Sequence, residues 1–156
     1  MAEAVAAEKA VAKPADSAIM AEERAGEVTD VRSVGRINRE IYKCVTPDIV
    51  TDEVVITDKQ IEHIIERHPQ VFERYHEYFR EIIETPDFIV ESAKPNTAVV
   101  MKELTNNGGE KFKTILRLVT STDDPAFKNS IITFMQIRTK EWNRLLRNKK
   151  ILYKRS

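Results

Sequence analysis

Val54-Val-Ile-Thr-Asp-Lys-Gln-Ile-Glu-His-Ile-Ile-Glu-Arg-His-Pro69 is the stretch on which the fold turns. It opens on the Val-Val-Ile of a run from Asp52 to Ile56 that reads as a short strand. Thr57 then precedes Gln60 at the spacing of a capping box, in which side chains satisfy the free N–H groups of a helix start. Ile61, Ile64, Ile65 and His68 recur at i, i+3, i+4 and i+7 and define one helical face. Pro69 lacks an N–H and restricts the residue before it, so it stops or bends this helix.

Toward the C-terminus a second helix is expected from about Gln70 to Glu84, burying Val71, Phe72, Tyr75, Tyr78, Phe79, Ile82 and Ile83 and closed by Thr85-Pro86. Beyond Pro86 the apolar period becomes strand-like. Phe88-Ile89-Val90 is one strand and Thr97 to Leu104 the next. Asn106-Asn-Gly-Gly109 supplies residues that tolerate positive φ in a hairpin turn, and Lys111 to Val119 pairs back across it. Asp123-Asp-Pro125 turns the chain into Asn129 to Arg138, a central strand. A short helix from about Lys140 to Arg147 leads to a final strand, Ile151 to Tyr153. Helices followed by hairpins predict an α+β fold with two N-terminal helices packed on one face of an antiparallel sheet of about four to five strands.

Toward the N-terminus the sequence is rich in Ala and Glu and has little to bury, so residues 1–33 are expected to form a flexible leader and residues 34–156 the domain. Val31, Val34, Ile37, Ile41 and Tyr42 give a loose apolar pattern suited to a short packed arm. With 156 residues the chain has room for one ordinary domain. No apolar run approaches the roughly 20 residues needed to span a bilayer, and no basic-then-apolar leader is present, so a cytoplasmic protein without membrane contact is expected. Cys44, the only cysteine, can form no intrachain disulfide and is read as buried or incidental, behaving as a small hydrophobe.

The formal net charge of zero conceals two opposed halves. Residues 1–90 hold 11 Lys and Arg against 19 Asp and Glu, whereas residues 91–156 hold 14 against 6. Nucleic-acid binding depends on local basic patches, so the basic half is the candidate contact surface.

No Gly-rich phosphate loop follows a strand, which argues against nucleoside-triphosphate chemistry. No converging ligand set suggests a metal or cofactor: His63 and His68 are five residues apart, about 140° around a helix. His68 falls on the inward stripe, whereas His63 and Arg67 are i, i+4 neighbours on the other side, available to solvent or a phosphate. His76 has no such company. Lys102 projects from an apolar strand, where a cation needs a partner or a wet face. Arg117 occupies a comparable position in the neighbouring strand, and Ser130 and Thr133 interrupt the apolar run after Asn129. Histidine, cation and hydroxyl together meet the needs of RNA cleavage: RNA supplies its own nucleophile, leaving the protein to provide a base, an acid and positive charge.

Val54-Val-Ile-Thr-Asp58, Ile61-Glu-His-Ile64, Glu66-Arg-His-Pro69, Thr85-Pro-Asp-Phe88, Pro95-Asn-Thr97, Lys128-Asn-Ser-Ile-Ile-Thr-Phe134 and Ile151-Leu-Tyr-Lys154 together resemble the phage-associated nucleases of the barnase, EndoU, colicin and RelE group, over about Val34 to Lys154. The resemblance implies helices on a curved antiparallel sheet and a metal-independent endoribonuclease of the toxin or effector type. Carried over by position, it implicates His63 or His68, with Lys102, Arg117, Ser130 and Thr133. Arg67, Tyr153 and Lys154 are candidates for holding substrate, although Tyr153 also suits the core. The implied partners are RNA, with tRNA and mRNA as target classes, and a neutralising immunity protein or antitoxin. The competing expectation is a catalytically silent RNA- or protein-binding accessory module of a phage protein.

Overall fold

The computed structural model describes residues 31–105 and 108–156. In chain order the elements are β1 (Val31–Arg36), α1 (Arg39–Tyr42), β2 (Glu53–Thr57), α2 (Asp58–Arg67), α3 (Val71–Tyr75), a 3-10 turn (His76–Tyr78) and α4 (Phe79–Glu84). There follow β3 (Phe88–Val90), β4 (Thr97–Leu104), β5 (Glu110–Arg117), β6 (Asn129–Ile137), α5 (Thr139–Asn148) and β7 (Ile151–Lys154).

The α+β class holds, but the sheet is larger than expected and mixed. It has seven strands in the order β1-β2-β6-β5-β4-β3-β7. One junction is parallel, with Val54 opposite Asn129 and Val55 opposite Ser130; the other neighbours are antiparallel. Asn129 stitches this junction: its side-chain amide donates to the carbonyls of Thr51 and Glu53, and its Oδ1 accepts from the N–H of Val119. The edge strand β1 begins at Val31, so the expected boundary between residues 33 and 34 falls inside it. Residues 1–30 lie outside the described residues.

Nor do two N-terminal helices alone cover the sheet. The chain from Val71 to Glu84 breaks into α3, the 3-10 turn and α4. This break aims its aromatic rings at different strands, with Tyr75 against Phe112 of β5 and Phe79 edge-on to Phe134 of β6. A helix also lies on the other face. Pleating sends Ala98, Val100 and Leu104 of β4 into a core with Ile61, Ile64, Ile82 and Ile83, while Val99 and Met101 meet Trp142 and Leu145 of α5. Trp142 thus anchors α5 to the sheet.

Several local expectations hold. Thr57 Oγ1 accepts from the Gln60 N–H at 3.1 Å and caps α2. Gly108 and Gly109 both have positive φ at the β4–β5 turn, whose Asn106 and Asn107 lie outside the described residues.

Candidate active site

β2 runs directly into α2, and burial of Ile61 and Ile64 seats that helix against β6. Ile65 is left 46% exposed, so the inward stripe is narrower than its spacing suggests. At His68 helical geometry has ended (φ −136°, ψ 71°), and extrapolating the stripe to its side chain fails. The residue is held by its backbone. Its N–H donates to Ile64 at 2.7 Å, and its carbonyl accepts from Val71 at 3.1 Å. Pro69 and Gln70 reverse the chain here. Gln70 adopts a left-handed φ of 77°, a strained conformation of the kind that collects near functional groups.

The half-buried imidazole of His68 is pushed below the ordinary histidine pKa, first by loss of solvent and then by the charges of Arg67, His63 and Lys113. Its neutral form is therefore favoured near neutrality, leaving one ring nitrogen free to accept a proton. Lys113 comes from β5. It pairs across the sheet with Met135, and the next pair on that face is Ile115 with Thr133. Lys113 also lowers the pKa of Glu141, behind the larger effects of the hydrogen bond and charge of Arg144, so its field reaches both the end of α2 and the start of α5. Among the described residues, His63, Arg67, His68 and Lys113 have no ion pair and no side-chain hydrogen bond.

The other candidates lie elsewhere. Lys102 is 4% exposed on the sheet face opposite Lys113, the face that α2 and α4 cover, where its Nζ donates to the Thr85 carbonyl at 2.6 Å and lies 3.7 Å from Asp87 and 3.9 Å from Glu81. Arg117 lies four residues along β5 from Lys113, roughly 13 Å away, and is held by Asp123 and by the Leu118 carbonyl. Ser130 is paired with Arg117 and is 1% exposed, its hydroxyl without a partner among the described residues. Tyr153 and Lys154 are on β7, three strands from β5, with Tyr153 packed against the larger core. His76 stacks on Phe72 and donates from Nδ1 to that residue's carbonyl, a structural arrangement.

Lys113 is the residue that the sequence did not single out. Its alternation with Phe112 and Thr114 marks it as facing away from the larger core, but nothing local reveals the end of α2 beside it. No group of three or more His, Cys, Asp or Glu side chains gathers among the described residues, and none of their helices is long and apolar enough to cross a membrane.

The model of the phage-Barnase-EndoU-ColicinE5/D-RelE like nuclease2 family matches residues 30–154. The chain belongs to this nuclease family. The match takes in every described element from β1 to β7. No curated protein and no solved structure matches the sequence. Membership in the nuclease family makes nucleic acid the substrate class.

Proposed function

We propose that the protein is an endoribonuclease that cleaves RNA by internal attack of the 2′-OH without a metal ion. The observation that carries this reading is the grouping of His68, His63, Arg67 and Lys113, none of them neutralised by a carboxylate. Positive charge lacking an internal counter-charge attracts phosphate.

In this mechanism neutral His68 takes the 2′-OH proton, O2′ bonds to phosphorus and the P–O5′ bond breaks. His63 gives a proton to the departing O5′. Arg67 and Lys113 hold the charge that builds on the phosphoryl oxygens, and the Thr133 hydroxyl donates to one of them. The products are a 2′,3′-cyclic phosphate and a 5′-OH. Every role is filled by a side chain, so no metal is required. A toxin or effector acting on tRNA or mRNA fits this chemistry, and a neutralising partner would cover the same cations.

The test is incubation of purified protein with labelled RNA in EDTA. Fragments ending in cyclic phosphate, together with resistance of an RNA carrying a 2′-deoxy sugar at the scissile position, support the reading. Binding of RNA without cleavage would instead favour the silent accessory module. A protein that neither cuts RNA nor shows phosphate-dependent NMR shifts at His68 would remove the cleavage reading.

A further inference from the structure

α5 carries a second charged feature that the cleavage chemistry does not use. From Arg138 to Lys150 the chain holds Arg138, Lys140, Arg144, Arg147, Lys149 and Lys150 against one acidic residue, Glu141. Glu141 is committed to Arg144, which donates to its two oxygens at 2.8 and 2.7 Å. The other cations are exposed and have no ion pair among the described residues.

Helical geometry arranges them. At 100° per residue, Lys140, Arg144 and Arg147 fall within about 60° of one another, on the side opposite Trp142, Leu145 and Leu146. Those apolar residues are packed on the sheet, so the cationic stripe points to solvent. The stripe starts beside the candidate site. β6, whose Met135 pairs with Lys113 and whose Ile137 pairs with Lys111, leads through Arg138 into α5, and the charge of Lys113 is felt at Glu141.

We infer that the outer face of α5 is a track for the phosphate backbone of an RNA strand running on from the scissile phosphate. The protein would then act on polynucleotides, with affinity drawn from beyond the cleaved bond. This inference rests on the proposed cleavage reading for where the track begins. Two observations favour RNA over a lipid surface. The charge is continuous with a site suited to phosphate, and the apolar face of α5, which a membrane-bound helix would insert, is already buried against the sheet.

The test uses the full chain and a fluorescent 20-nucleotide RNA with 2′-O-methyl sugars, which can be bound but not cut. Lys140→Ala/Arg147→Ala should weaken binding roughly tenfold at low salt and reduce the slope of log affinity against log salt by about 1.4, the share of two phosphate contacts on a single strand. Lys140→Arg should keep wild-type affinity. Circular dichroism melting should be unchanged by these exposed substitutions. Cleavage of a dinucleotide, which cannot reach the track, should keep its kcat/KM. Unchanged affinity and salt slope in the double alanine variant would overturn the inference even if the wild type cleaves RNA. Tighter wild-type binding to anionic vesicles than to the RNA would overturn it in favour of a membrane surface. Wild type that binds the 20-mer through these residues but cuts no RNA would leave the track standing and dismiss the cleavage reading.

Discussion

The ammonium group of Lys102 donates to the Thr85 carbonyl at 2.6 Å, closing the C-terminal end of α4 from a neighbouring strand. The charge sits where the helix dipole is negative, and Asp87 and Glu81 stand within 4 Å. This cation is committed to the fold. Lys102→Met should therefore cost about 1–3 kcal/mol, because it takes the charged donor from the Thr85 carbonyl and leaves Asp87 with Arg155 alone. Urea unfolding measures the loss, and cleavage per folded molecule should be retained. A stable Lys102→Met protein without activity would return Lys102 to the chemistry.

His68 should set the acid limb of the activity profile. In the free protein its pKa lies below the ordinary value near 6.5, so kcat/KM should rise with pH and pass half its plateau below that value. His68→Ala should reduce kcat by roughly 10²–10⁴ and remove that limb. Stability follows the same titration. As pH falls below about 6.5 the unfolded chain takes up this proton before the folded one does, so stability drops until the lower folded pKa is passed. His68→Gln should flatten the corresponding part of a stability curve measured by denaturant unfolding.

Lys113 links two observables. Replacing it with Gln removes a cation that depresses His68, so the His68 titration, followed by NMR, should move to higher pH together with the acid limb. The same substitution should lower kcat by about 10²–10³, the usual cost of losing one group that stabilises transition-state charge. A fall in kcat with no movement of the titration would mean that Lys113 acts on substrate without sensing His68.

What could be read from the sequence follows the range of the interactions involved. The Thr57 cap and the alternation of β5 are settled by residues close in the chain, and both were legible. β1 was not. Arg32, Ser33, Gly35 and Arg36 give no clean alternation, and the strand exists because it pairs with β2 and lies against α4, where a side chain on Gly35 would come within 3.1 Å of Glu84 and 3.2 Å of Arg80. The parallel pairing of Val54 with Asn129 is likewise a distant partnership. At the site, the basic turn of α2 stood out locally, whereas Lys113 became visible only through the fold. Lys102 shows the converse, since an out-of-place cation announced that it needed a partner without naming the Thr85 carbonyl.

Arg117 offers a final test of the division between structural and substrate-facing cations. Its guanidinium lies 2.9 and 3.3 Å from the two carboxylate oxygens of Asp123, and Asp123 Oδ2 also accepts from the Thr120 N–H at 2.8 Å. Both side chains are more than two-thirds buried, so solvent screens the pair less than it would a surface bridge. In a double-mutant cycle, Arg117→Ala and Asp123→Ala should show a coupling of about 1 kcal/mol by urea unfolding. Asp123→Ala should be the more costly single change, because it also leaves the Thr120 N–H without its acceptor. A cation that held RNA would behave differently. Arg117→Ala would then weaken RNA binding and lower its salt slope by about 0.7 while coupling little to Asp123. With its guanidinium already forked onto Asp123, Arg117 should instead leave RNA affinity and kcat/KM unchanged.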